Sequence, residues 1–109
     1  GAPAPYGTRA AKLAICSALC QLHSNEIVHG DARKENVIII DEGLIWIDFM
    51  ASHSCSSAIE IKQDMDRLMR SLHGMAHDMA YPEGITPLLN IYSQNPTVGE
   101  IERMLDICR

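Results

Sequence analysis

The chemistry-bearing residues of this sequence crowd into one stretch, IVHGDARKENVIIIDEGLIWIDFM, residues 27–50. His29, Asp31, Arg33, Asn36 and Asp48 stand there at the ends of two apolar runs, 36–40 and 44–49. If the runs are the strands of a hairpin, Asn36 at the start of one lies beside Asp48 at the end of the other. Asp31, five residues before Asn36, supplies a third oxygen-bearing side chain nearby. Carboxylate and amide oxygens are the hard ligands that Mg²⁺ takes, and Mg²⁺ completes its shell with waters and substrate phosphates. In outline this is a nucleotide-metal site. Turn chemistry also favours Asp and Asn at hairpin ends. That explains each residue singly but not their joint spacing.

Such groups need a frame. NVIII is a β-branched run too short for a helix, DEG (41–43) is a turn, and LIWIDF is a second short strand. Before the hairpin, residues 8–23 set Ala11, Ile15, Leu19 and Leu22 at helical spacing behind Thr8 as N-cap. After it, 51–58 is a Ser-, His- and Cys-rich loop. In IEIKQDMDRLMRSLHG, Ile61, Met65, Leu68, Met69 and Leu72 make one helical face, and Gly74 is the stop. Residues 75–84 read as a helical turn and then a loop around 82–84. Two more helices are expected over 85–93 and 98–108, the second capped by Thr97 with Glu100 three residues on. The expected fold class is mainly α with one small β-hairpin.

At 109 residues the chain holds one core. Residues 1–7, GAPAPYG, are Pro/Gly-rich and lack an initiator Met, so they are expected to be a disordered lead or the remnant of a processing boundary. Residues 8–109 form the domain. A net charge of -5 leaves no basic surplus for a phosphate backbone, so no nucleic acid partner is expected. The apolar runs fall short of the roughly 18 residues a membrane helix needs. Four cysteines, Cys16, Cys20, Cys55 and Cys108, come without a secretory leader, which points to free thiols and an intracellular location, cytoplasmic or nuclear.

HGDARKEN fits the catalytic loop H-x-D-x-[KR]-x-x-N of the protein-kinase-like superfamily, and IDFM stands where that family has D-F-G. The preceding LHSNEIV is similar to the end of the helix before that loop. The resemblance covers roughly residues 8–72 and implies the fold of a kinase C-terminal lobe. It also implies roles. Asp31 would orient or take the proton of the attacking hydroxyl, Arg33 would steady the transferring phosphoryl group, and Asn36 and Asp48 would hold Mg²⁺. His29 would be a packing and hydrogen-bonding support. Asp64, rather than Asp66, would be the helix aspartate that accepts backbone N–H groups from the loop.

Departures from the pattern narrow the branch. Gly30 replaces the Arg of H-R-D, so no basic residue there can pair with a phosphorylated activation loop. HGD and IDF are more similar to aminoglycoside and choline phosphotransferases, RIO-like kinases and fungal kinase-like proteins. Met50 stands in place of the glycine after D-F, and no A-P-E follows. The residues before the first helix are too few for a glycine-rich loop, a strand Lys and a hinge. The resemblance therefore implies the C-terminal lobe alone. Mg²⁺ and ATP are expected as cofactors of a complete form, with none bound tightly by the isolated chain. Expected partners are the missing N-terminal lobe or a protein supplying it, or a second copy meeting the exposed lobe face. The alternative is a non-catalytic interaction or scaffold module of kinase ancestry.

Two further clusters have ligand-like spacing. Cys16, Cys20 and His23 share a helix face, and His73 and His77 are four residues apart. Small cysteines on an apolar face are ordinary core, and Gly74 interrupts the second pair, so both are read as structural. Met65, Met69, Met75 and Met79 are read as core filling.

Overall fold

A computed structural model describes residues 2–3, 8–40, 43–47, 52–54, 57–76 and 78–108. Four helices dominate it: α1 (Arg9–Ser24), α2 (Ala58–Leu72), α3 (Ile85–Gln94) and α4 (Val98–Ile107). Among them lie five short strands, β1 (Ala2–Pro3), β2 (Ile27–Val28), β3 (Val37–Ile40), β4 (Gly43–Trp46) and β5 (His53–Ser54), with a 3-10 turn over Lys34–Asn36. The chain is mainly helical with small sheets, as its periodicities predict. No helix among the described residues is long and apolar enough to cross a membrane.

Thr8 starts α1 by accepting the Ala11 N–H on its Oγ1 at 3.1 Å, which satisfies one of the orphan donors of the first turn. The helix stops at Asn25, and Glu26 then takes a left-handed φ of 59° that turns the chain into β2. Its buried face holds Ile15, Cys16, Leu19, Cys20 and His23, whereas Ala11 and Leu22 are half-buried. The stripe is broader than the predicted one because α1 packs against α2, α4, β2 and β4.

The expected hairpin forms with shifted bounds, Val37 opposite Trp46 and Ile40 opposite Gly43: Asn36, read as the first strand residue, belongs to the 3-10 turn, Gly43, read as turn, opens β4, and Ile47 lies past its end. Two pairings go beyond the expected hairpin. Ala2 and Pro3, inside the segment expected to carry no structure, pair with Ile39 and Ile38 along the outer edge of β3. That edge offers unpaired backbone groups to whatever lies alongside. The second pairing joins β2 to β5, Ile27 opposite Ser54 and Val28 opposite His53, within what reads as loop. Two-residue strands carry no alternation from which to detect them.

The predicted face of α2, Ile61, Met65, Leu68, Met69 and Leu72, is buried, and Asp64 is buried within it. Gly74 follows the helix with a φ of 64°, the left-handed exit that favours glycine. At α4 the expected reciprocal cap takes another form. The Thr97 hydroxyl donates to the Glu100 carboxylate, and no side chain bonds the backbone of the first turn. α2 packs on α3, α3 on α4 and α4 on α1, enclosing one cluster of buried side chains that runs from Ile15 and Leu19 through Met65 and Leu68 to Tyr92 and Met104.

Candidate functional site

β2 delivers the chain into the HGD segment, and α2 receives it there. Asp64, 3% exposed, accepts three hydrogen bonds: from the His29 N–H at 2.8 Å, the Gly30 N–H at 3.1 Å and His23 Nε2 at 2.8 Å. Burial alone would raise its pKa. The bonds from His23 and from the two backbone amides outweigh burial and hold the carboxyl below its ordinary value. On its other ring nitrogen, Nδ1, His23 is bonded to the Tyr92 hydroxyl. One carboxylate thus joins α1, α2, α3 and the loop. One turn along α2 from Asp64, Arg67 donates from Nη1 to the Gly30 carbonyl at 2.7 Å. The Gly30 residue is therefore held at both its N–H and its C=O by one helix, and its φ of 88° lies where a side chain is strained.

His29 is fully buried, tilted against Trp46 with ring centroids 5.0 Å apart. Its Nδ1 accepts the Asp31 N–H at 3.1 Å and its Nε2 bonds the Ile47 carbonyl at 2.7 Å. A backbone N–H only donates and a carbonyl only accepts, so these two bonds fit the tautomer that carries its proton on Nε2. His29 fastens the loop to the end of β4.

Asp31 is clasped from two sides. Arg33 forms a fork on it, Nε to Oδ1 at 2.9 Å and Nη2 to Oδ2 at 3.0 Å. Asn36 Nδ2 donates to the Asp31 carbonyl at 2.8 Å and to Oδ2 at 3.1 Å. Partial burial would raise the Asp31 pKa, but the donors on Arg33 and Asn36 and the nearby charge of Arg67 bring it below the ordinary value. The carboxylate stays ionised at neutral pH.

Of the residues predicted for the site, the structure gathers His29, Asp31, Arg33, Asn36 and Asp64 around one loop. Arg33 lies on Asp31 itself, its nearest acceptor, only two residues away. Asn36 stands opposite Ile47: the β3–β4 register sets Val37 against Trp46, and the Ile47 N–H donates to the Asn36 carbonyl at 2.8 Å. Asp48, the next residue, lies outside the described residues, as do Met50, Cys55 and His77. For a hard cation, buried Asn36 retains its amide oxygen, since Nδ2 is spent on Asp31. Among the described residues no three His, Cys, Asp or Glu side chains gather in a way that could hold a metal ion.

The two aspartates of α2 separate cleanly. Asp66 bonds Arg70 Nε at 3.2 Å and the Tyr81 hydroxyl instead of the loop amides. The zinc-like trio on α1 dissolves as well. Both His23 nitrogens are engaged, and burial, with Cys20 adding to it, pushes the Cys16 thiol up to about 12, so it keeps its proton. Sequence reasoning missed Arg67 and Tyr92. Arg67 had a signal, its place three residues after Asp64 on one helix face; Tyr92, 69 residues from its partner His23, had none.

Compared with protein-family models, curated proteins and solved structures, the chain matches none.

Proposed function

We propose that this chain is the C-terminal lobe of a kinase-like phosphotransferase, moving the γ-phosphoryl group of ATP to a hydroxyl acceptor once a second lobe covers the nucleotide. The observation that carries the reading is the Asp64 carboxylate, which pins the His29 and Gly30 amides and so presents Asp31 and Asn36 side by side at the open end of the hairpin. The HGDARKEN and IDFM motifs give those positions their roles.

In this reading Asp31 takes the proton of the acceptor hydroxyl as the hydroxyl oxygen bonds to the γ-phosphorus and the bond to the ADP oxygen breaks. Asn36 holds the Asp31 carboxylate in place through Nδ2, and its amide oxygen, with Asp48, would hold Mg²⁺. The ion supplies charge neutralisation on the phosphates. Arg33 and Asn36 take three of the roughly four acceptor sites of the Asp31 carboxylate, so one site on Oδ1 stays open for the proton. The Arg33–Asp31 pair is solvent-exposed on the Arg33 side, with side chains 52% and 32% accessible. Such pairs contribute only about 0–1 kcal/mol, so thermal motion opens it readily.

The test is Mg²⁺-dependent ATP turnover in a form of the protein that carries both lobes. Asp31→Ala should lower turnover by about 100-fold or more, the usual scale for losing a positioned proton acceptor, and Asp48→Ala should abolish the Mg²⁺-dependent turnover. Equal turnover in wild type and both variants sinks the catalytic reading and leaves a scaffold module. The isolated chain should show no thermal shift with Mg²⁺-ATP. A shift of several degrees would show that no second lobe is needed.

A further inference from the structure

Beside the clasped loop lies a cavity of about 680 Å³ lined by Arg33, Gln63, Arg67 and Arg70, with Glu35 and Asp66 as its acidic residues. In a chain of net charge -5, three arginines gather at this cavity, two of them paired with carboxylates, Arg33 with Asp31 and Arg70 with Asp66. Its charges are not equally committed. Arg70 is the most committed, with Nε on Asp66, Nη1 on the Ala76 and Met79 carbonyls at 2.7 Å each, and its guanidinium 4.2 Å from the Tyr81 ring centre, so its charge is spent on Asp66 and on the 76–81 segment. Asp66 is offset by that arginine and by the Tyr81 hydroxyl, and Glu35 accepts from Ser71 at 3.4 Å.

Arg67 and Arg33 differ from Arg70. Arg67 spends only Nη1, on the Gly30 carbonyl, so among the described residues its Nε and Nη2 have no partner. Arg33 spends Nε and Nη2 on Asp31 and keeps Nη1. These two are also the lining residues that touch positions 30 and 31 of the loop. The cavity is thereby tied to the carboxylate that would meet the acceptor hydroxyl. Paired guanidinium donors match the oxygens of a phosphate or carboxylate, which a cationic amine cannot satisfy.

We infer that this cavity receives a small acceptor bearing an oxyanion, phosphate or carboxylate, held by Arg67 and Arg33 with its hydroxyl directed to Asp31. The hydroxyl step rests on the phosphotransferase reading; the oxyanion site does not. The inference sets the acceptor apart from aminoglycosides and choline, which are cations. It also gives the Arg33–Asp31 pair a purpose. An oxyanion that draws Arg33 away frees two further acceptor sites on Asp31 when the acceptor is present.

The probes are inorganic phosphate, acetate and choline, titrated without ATP or Mg²⁺ into the chain and followed by the arginine Nε–H NMR signals. Gln63 lines the cavity from the exposed side of α2, so changing its charge leaves the core alone. Phosphate, acetate or both should give saturable shifts at Arg33 and Arg67 that Arg9 and Arg103 on other faces do not share; which oxyanion saturates identifies the acceptor's acid group. Gln63→Lys should tighten binding by about three- to tenfold and Gln63→Glu should weaken it as much, the range for a unit charge a few ångströms away at partial screening. Shifts common to all four arginines, affinity indifferent to the charge at position 63, or saturation by choline would overturn the inference. Because no nucleotide is present, that failure leaves phosphoryl transfer standing, and a failed turnover assay leaves the oxyanion site standing.

Discussion

Replacing Asp64 by Ala should cost this domain about 3–5 kcal/mol, because it leaves three buried donors unsatisfied at about 1–3 kcal/mol each before any relaxation. Asp64 accepts from three donors at 2.8, 2.8 and 3.1 Å while 3% exposed. Alanine leaves the His29 and Gly30 amides and His23 Nε2 without an acceptor. Hydrogen bonds to charged groups contribute about 1.5–3 kcal/mol each, so simple addition gives roughly 4.5–9. The expected cost is smaller because a water can enter the vacated space and serve more than one donor. Set against a total of about 5–15 kcal/mol for a domain of this size, the loss brings folding close to balance. Urea unfolding followed by Trp46, the chain's single Trp and a buried one, reads the change. At a slope of about 1–3 kcal/mol per molar, the midpoint should fall by about 2 M. Hydrogen exchange adds a local readout, since the His29 and Gly30 amides should lose protection before those of α3. Asp66→Ala, on the same helix but facing Arg70 and Tyr81, should cost only about 1 kcal/mol. A loss below about 1 kcal/mol at Asp64, or equal losses at Asp64 and Asp66, would refute the account of the loop anchor.

Acid should act through the same carboxylate. Because its folded pKa lies below the ordinary 3.8, its stabilisation is complete above that value and fades as pH falls through the folded one. Stability compared at about pH 6 and about pH 3 should therefore drop further in wild type than in Asp64→Asn, and parallel drops would contradict the linkage. Gly30→Ala should destabilise by about 1–2 kcal/mol, the cost of a side chain at a φ of 88°, with helical circular dichroism unchanged below the transition. A neutral result in urea titration would mean the loop relaxes to negative φ without loss.

What the sequence makes legible follows from how local its causes are. The hairpin needs only a β-branched run, a turn and a second run close in sequence, and it forms over Val37–Ile40 and Gly43–Trp46, within a residue or a few of the expected bounds. The apolar face of α2 is a local period, and it carries a further clue. Asp64 falls inside the stripe of Ile61, Met65 and Leu68, where a carboxylate must find donors, whereas Asp66 falls outside it. The periodicity thus separates the two aspartates before any contact is known. The β2–β5 pairing and the Tyr92–His23 bond join segments far apart in sequence, through elements too short or residues too ordinary to announce themselves.

Gly30 shows how a departure from a pattern can have a backbone cause. As a missing Arg it reads only as the loss of a pairing charge. In the structure its N–H goes to Asp64 Oδ1 and its carbonyl to Arg67 Nη1, and both bonds are made at a positive φ. An L side chain at that φ would either strain the loop or rotate one of those two groups away from α2. Glycine removes that cost, and Arg67 brings a guanidinium to the loop from the helix instead. A second positive charge, beside that of Arg33, thus reaches the loop from α2, and among the described residues its Nε and Nη2 have no partner, so the contact that holds Gly30 also brings a guanidinium to the cavity.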